Sequence, residues 1–153
     1  MNYRAALWTR AAAAQALRPL VRHVDILIAS DDELALVAPE VATTEDARVD
    51  ALLAAGVREI VIKRGAAGAE VIGAAGRMAR PAISVPVVDT VGAGDAFVAG
   101  YLSAVLDGLP ISDRLNRAVT TGAFAVACRG DWEGLPTREE LGLLDLEPGT
   151  TLR

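Results

Sequence analysis

Asp89-Thr-Val-Gly-Ala-Gly-Asp-Ala-Phe97 lies between an extended apolar run, Val85-Pro-Val-Val88, and a strong helix pattern that continues to Leu106. Small residues at 92 to 94 let the backbone come close to a ligand. The N–H groups of Gly92, Ala93 and Gly94, with the positive end of the following helix, make a cradle for negative charge. Asp95 places a carboxylate at the same point, where the helix terminus helps to keep it ionised. An anion cradle beside a carboxylate base suits phosphoryl transfer to an alcohol. The carboxylate accepts the hydroxyl proton while the amides hold the γ-phosphoryl oxygens. The plain alternative is a Gly-x-Gly helix entry whose Asp only complements the dipole. Two other phosphate patterns do not match. A Rossmann turn wants Gly or Ala where Phe97 stands, and a Walker A loop wants a following Gly-Lys-Ser/Thr that is absent.

Outward from this stretch, two kinds of segment alternate. Ala11 to Val24 is alanine-rich with helical period, Thr9 being its N-cap and Pro19 disturbing its last turn. Asp25 to Ala29 is a short apolar run that reads as a buried strand. Thr43 to Ala55 is helical, with acidic residues in its first turn and Gly56 at its stop. Val57 to Lys63 is the next strand. This βα alternation predicts a parallel sheet covered by helices. Gly65, Gly68, Gly73 and Gly76 punctuate the next stretch of chain, and Ala69–Ile72 with Gly76–Arg80 reads as a hairpin. On the other side, a helix runs from Asp95 to Leu106 and stops at Gly108 and Pro110. A second helix spans about Ser112 to Cys128. Thr137-Arg-Glu-Glu140 reads as a capping box opening a last short helix.

Composition narrows the function classes. The chain has 153 residues, 52% of them apolar and 23% charged, with a net charge of -5. That is the make-up of one folded domain with a real core. The acidic balance and the absence of a Lys/Arg cluster argue against nucleic acid as a partner. No apolar run of about 18 residues suggests a membrane span. The single thiol, Cys128, forms no internal disulfide, and no secretory signal is evident, so a cytoplasmic location is expected.

The motif Asp89–Phe97 resembles the second signature of the ribokinase-like (PfkB) carbohydrate kinases, and the likeness extends from Asn2 to about Leu141. Asn2-Tyr-Arg-Ala-Ala-Leu-Trp8 and Gly130-Asp-Trp-Glu-Gly-Leu-Pro136 are similar to segments of the 2-keto-3-deoxygluconate kinases within that family. The resemblance implies an α/β ribokinase-like sheet sandwich with helices on both faces. It implies ATP and Mg²⁺, and in some members a monovalent cation such as K⁺ held by backbone carbonyls, here of Asp89 and Val91. Asp95 corresponds to the base that deprotonates the sugar hydroxyl, and Gly92, Ala93 and Gly94 to the anion hole. Lys63-Arg-Gly-Ala-Ala-Gly68 matches the nucleotide-contacting strand and turn, with Lys63, Gly65 and Gly68 as its contacts; Asn2 is placed with them. Ser30-Asp-Asp-Glu33 occupies the place of an Asn-x-x-Glu motif in which Glu33 orients Mg²⁺ through water, Ser30 replacing the Asn. Without the likeness this tetrapeptide is a plain capping box. Val119 stands where an Asn near the adenine is frequent. Arg4 matches a residue that holds an acid sugar's carboxylate, a grip a guanidinium makes with two parallel hydrogen bonds. Asp131 matches a residue binding sugar hydroxyls.

The likeness begins in mid-fold, at the Asn-x-Arg strand, so residues 1–153 are expected to correspond to the C-terminal, ATP-binding portion of such a kinase. Its N-terminal sheet strands and lid are then missing. An open strand edge favours association, including a homo-oligomer, and little turnover is expected without the lid. The remaining readings are a related fructokinase or 5-dehydro-2-deoxygluconokinase, and a catalytically silent nucleotide-binding or assembly module.

Overall fold

A computed structural model describes residues 1–145. The chain divides into two compact units, Met1–Pro81 and from Ala82 onward.

In the first unit, Thr9 lies in extended backbone and its hydroxyl accepts the Ala12 N–H at 3.2 Å, which opens helix α1 (Arg10–Leu17). Pro19 has no N–H to continue the α-helical ladder, and the chain tightens into a 3₁₀ segment, Arg18–His23. The expected single helix to Val24 is therefore two pieces. Strand β1 (Ile26–Ser30) pairs in parallel with β2 (Glu59–Lys63), from Ile26 against Glu59 to Ser30 against Lys63. The crossover between them carries α2 (Leu34–Val37) and α3 (Glu45–Ala54). Thr44 caps α3 by accepting the Ala47 N–H, so the helix starts two residues after the expected Thr43, and Glu45 and Asp46 sit in its first turn.

After a 3₁₀ turn at Gly65–Ala67, the expected hairpin forms as β3 (Ala69–Gly73) and β4 (Gly76–Arg80). The sheet order is β1-β2-β3-β4, with both later pairings antiparallel. The sheet is thus mixed rather than wholly parallel. A helical crossover returns β2 alongside β1, whereas the short turns before β3 and β4 can only reverse the chain. Leu27, Ala29, Ile60, Ile62 and Ile72 pack with Leu34, Val37, Val49 and Leu52 as the core of this unit.

The second unit is built on a helical hairpin, α4 (Ala93–Leu106) and α5 (Ile111–Val126). The turn between them uses Gly108 and Pro110, as the sequence suggests. The helices approach closely at Gly100, where a Cβ would lie 2.9 Å from the Arg117 carbonyl oxygen and run into Thr121. The buried Thr121 hydroxyl in turn reaches the Ala96 carbonyl at 2.9 Å. Phe97, Tyr101, Ala104, Leu115 and Ala118 fill the interface. The Val85–Val88 run is not in a ladder; its end is anchored by Val88 and Asp89 N–H groups donating to the Val126 carbonyl at 2.8 and 3.3 Å. The capping box at Thr137 opens a 3₁₀ segment, Glu139–Asp145, with the Thr137 N–H donating to the Glu140 carboxylate at 2.8 Å.

Candidate functional site

Helix α4 begins two residues earlier than its apolar pattern implies, because Gly92 serves as N-cap with φ of +76°. That conformation is open to glycine and strained for other residues. Space demands glycine as well, since a Cβ on Gly92 would lie 2.7 Å from the Asp131 Cα. Ala93 and Gly94 therefore form the first helical turn, and Asp95 is its third residue. The Ala96 N–H closes the first intrahelical bond to the Gly92 carbonyl at 2.8 Å. Ala93 N–H makes only a long 3.4 Å contact to Thr90 O, and the N–H groups of Gly94 and Asp95 meet no acceptor among the described residues. Such unsatisfied first-turn donors, at the positive end of a 14-residue helix, are what an anion needs. The Asp95 carboxylate is exposed beside them and forms no hydrogen bond or ion pair with the described residues.

Asp89 organises the approach to this turn. Its Oδ1 accepts the Val91 N–H at 3.1 Å and its Oδ2 the Gly130 N–H at 3.3 Å. These two N–H groups, helped by that of Thr90 and by the Arg129 charge, hold the Asp89 carboxyl below its ordinary range against the upward push of desolvation. The carbonyls of Asp89 and Val91, the expected monovalent-cation ligands, take no main-chain hydrogen bond from the described residues. The loop carrying Asp131 is shaped by glycines: Gly130 has φ of +100°, and a Cβ on Gly134 would meet Cys128 and lie 3.1 Å from the Phe124 carbonyl. Structure thus brings Asp89, Gly92, Asp95 and the Asp131 loop to one end of the helical hairpin.

In the first unit, the other expected residues gather at the C-terminal ends of β1 and β2, where open α/β sheets bind ligands. Ser30 and Lys63 are register partners. Glu33, 6% exposed, accepts the Ser30 N–H on Oε2 at 2.9 Å and the Tyr3 N–H on Oε1 at 2.6 Å. Burial pushes its carboxyl up, but the Ser30 and Tyr3 N–H groups and the Lys63 charge outweigh it, and the net displacement is downward. The Ser30 hydroxyl donates to Asp32 Oδ1 at 2.7 Å rather than capping the chain at Glu33, so the capping box is half formed. Asn2 is held between two anchored neighbours, with the Met1 amino group donating to the Ile28 carbonyl and Tyr3 N–H to Glu33. Lys63 Nζ lies 3.5 Å from the Met1 carbonyl. Gly65 and Gly68 close the turn after β2, whose Arg64 N–H donates to the Gly68 carbonyl at 2.8 Å. Arg4 is exposed, and its carbonyl accepts the Leu7 N–H at 3.0 Å.

The pattern of the sequence does not reveal what braces this turn. The Arg64 guanidinium forks onto Glu45 at 2.7 and 3.0 Å and reaches Glu70 at 2.8 Å. Both partners raise its pKa above the usual arginine range. Arg64 stands beside Lys63, but its partners come from α3 and β3, and only the fold joins them. Glu45 in a first helical turn is the one local sign. Among the described residues no group of three His, Cys, Asp or Glu could hold a metal ion by itself. Mg²⁺ commonly takes one or two carboxylates plus phosphate oxygens and keeps several waters, and both Glu33 oxygens already accept N–H bonds. The residues accordingly fit a water-mediated contact from Glu33 and not a closed cage. No described helix is long and apolar enough to cross a membrane.

Fold and loop geometry together define a domain of ribokinase-like architecture with N–H donors left open at the start of α4. The pfkB family carbohydrate kinase profile matches residues 1–138, and the chain belongs to that family. It is 39% identical over 146 residues to a 2-dehydro-3-deoxygluconokinase of Thermoproteus tenax, an alignment covering 91% of this chain and 43% of the relative. The 2-dehydro-3-deoxygluconokinase of Escherichia coli K12 is 36% identical over 135 residues, covering 84% and 43%. Among solved structures, aminoimidazole riboside kinase from Salmonella enterica, complexed with its riboside and an ATP analogue, superposes with a TM-score of 0.80 at 29% identity, covering 94% of this chain and 50% of that one. A ribokinase-II-type protein from E. coli, solved with ATP and Mg²⁺, gives 0.80 at 30% identity over 86% and 42%. The chain therefore spans less than half the length of the curated relatives it matches.

Proposed function

We propose that residues 1–153 are the ATP-binding portion of an ATP-dependent sugar kinase of the 2-dehydro-3-deoxygluconokinase type, working in the cytoplasm. The observation that carries this reading is the start of α4: two first-turn N–H groups without acceptors beside the exposed Asp95 carboxylate. Asp95 accepts the proton of the attacking sugar hydroxyl. The Gly94 and Asp95 amides, with the Gly92 and Ala93 backbone, stabilise charge on the transferred phosphoryl oxygens. Lys63, Gly65, Gly68, Ser30 and Asn2 serve the nucleotide. Mg²⁺, when bound, would supply positive charge against the phosphates, and Glu33 would be its outer contact through water. The Asp89 and Val91 carbonyls suit K⁺. Arg4 grips an acid sugar's carboxylate, and Asp131 its hydroxyls. The names of the two gluconokinase relatives support that substrate class over a neutral hexose.

The test is ADP release from Mg-ATP with 2-keto-3-deoxygluconate, run beside Asp95→Asn and alongside a nucleotide titration. Turnover that falls about 10²-fold or more in the variant, the usual scale of a general base, supports the assignment. Turnover unchanged in Asp95→Asn refutes the base. A second reading is a nucleotide-binding or assembly module without turnover, for which the same first-turn N–H donors of α4 suffice to hold an anion. Nucleotide binding without ADP release in the wild-type chain distinguishes it.

A further inference from the structure

We infer that the Asp89 side chain is a positioning residue that clamps the Asp131 loop onto the anion-accepting turn, a role separate from that of its carbonyl. This deepens the proposed kinase function and rests on it. The two oxygens of one carboxylate are divided between two loops. Oδ1 takes the Val91 N–H, within its own loop, at 3.1 Å, and Oδ2 takes the Gly130 N–H, 41 residues away, at 3.3 Å. The first bond alone would be an ordinary Asx turn. The second reaches the residue directly before Asp131. The main chain of Asp131 in turn rests on Gly92, so closely that a Cβ there would lie 2.8 Å from its carbonyl carbon.

Three consecutive features therefore join residues 88–92 to residues 126–131. Val88 and Asp89 N–H groups bind the Val126 carbonyl, the Asp89 carboxylate binds Gly130, and Gly92 seats Asp131. Of these, only the middle one is made by a side chain, and it is the one that substitution removes without touching the cradle. Gly130 has φ of +100°, so this loop also holds a conformation that favours glycine there. Releasing its N–H frees Asp131 to leave Gly92 while the Gly94 and Asp95 amides stay in the helix. The clamp thus sets where the sugar-side carboxylate stands relative to the phosphate-side amides. Loss of the clamp is felt by the sugar and not by the nucleotide.

The experiment compares wild type, Asp89→Asn and Asp89→Ala by amide hydrogen exchange on residues 1–153, with ADP-release kinetics on the same samples. Gly130 N–H exchange is expected to rise about tenfold or more in Asp89→Ala and less in Asp89→Asn, which keeps one acceptor, while Ala118 in α5 stays protected. Unchanged exchange at Gly130 overturns the clamp whether or not the chain turns over. Exchange that rises equally at Ala118 is global loosening, and the comparison is then decided on the milder Asp89→Asn, where a rise at Gly130 without one at Ala118 supports the clamp and any other pattern overturns it. With turnover, the clamp predicts a higher sugar KM at unchanged ATP KM, and a KM rise confined to ATP overturns it. Asp95→Asn run in parallel separates the two ideas. Full turnover there sinks the assignment of Asp95 as base, whereas loss there with an unmoved Asp89→Ala sinks only the clamp.

Discussion

Replacing Glu33 by Gln tests the structural argument at its most buried polar point. Glu33 is 6% exposed, and its two carboxylate oxygens accept one main-chain N–H each, from Tyr3 at 2.6 Å and Ser30 at 2.9 Å. Gln has the same shape but one carbonyl oxygen, so its NH₂ must face one of those N–H groups. One buried donor is left without an acceptor, at a cost of about 1–3 kcal/mol. Against a stability of roughly 5–15 kcal/mol for a domain this is a large fraction. With a urea slope of about 1–3 kcal/mol per molar, the midpoint should fall by around 1 M. The pH dependence fixes the sign. Burial raises the Glu33 carboxyl, but the Ser30 and Tyr3 N–H groups and Lys63 lower it more, so the folded value lies below the ordinary 4.5. Folding then favours the ionised form, whose contribution is fully present above the unfolded value and is lost as pH falls through the folded one. Urea melts followed by circular dichroism at pH 7 and at steps below 4.5, with exchange at Tyr3 and Ser30, read this directly. The gap between wild type and Glu33→Gln should close on acidification. Equal midpoints at pH 7, or a gap that widens in acid, would refute the reasoning.

Other perturbations probe the remaining joints. Gly92→Ala forces a side chain into φ of +76° and into the Asp131 main chain, and should lower stability by about 2 kcal/mol or more in thermal melts. A melting temperature equal to wild type would mean that the loop gives way freely. Gly100→Ala places a methyl against Thr121 and 2.9 Å from the Arg117 carbonyl, an overpacking expected to cost about 1–3 kcal/mol in a denaturant series. A neutral result there would show that α4 and α5 separate easily. Arg64→Ala removes a fork onto Glu45 and a bond to Glu70 whose side chains are 31% and 14% exposed. It should cost about 1 kcal/mol, with Arg64→Lys recovering little because an ammonium cannot fork; full recovery by Lys would count against the bidentate geometry.

What the sequence reveals and what it hides divide along a physical line. Turn and cap chemistry is local, so Thr9, Gly56, Gly108 and the hairpin at Gly73–Gly76 are readable within a few residues. So is the entry to α4, although the apolar pattern puts its first turn two residues late. Apolar periodicity marks where a helix buries its face, and Ala93 and Gly94 carry no such mark; only the left-handed Gly92 shows where the helix starts. Strand direction is less legible. Alternation of β and α segments implies parallel pairing, and that holds between β1 and β2, where a helical crossover intervenes, but not where short turns connect the strands. Least legible are side chains whose partners lie far along the chain. Asp89 is visible as a carbonyl donor to a cation, yet its carboxylate binds Gly130, 41 residues on. Glu33 is visible as a cap or a magnesium contact, yet it also receives Tyr3 N–H, 30 residues back. Each of these acids divides its charge between two backbone amides from separate segments. In both places the motif names the residue, and the fold decides that it joins the segment bearing a candidate sugar contact, Asp131 in one case and Arg4 in the other, to the segment bearing candidate phosphate contacts. An acid that joins two segments in this way is constrained from both sides. Its replacement should therefore disturb local geometry before it disturbs charge, and for that reason amide exchange is a sharper probe of these positions than activity alone.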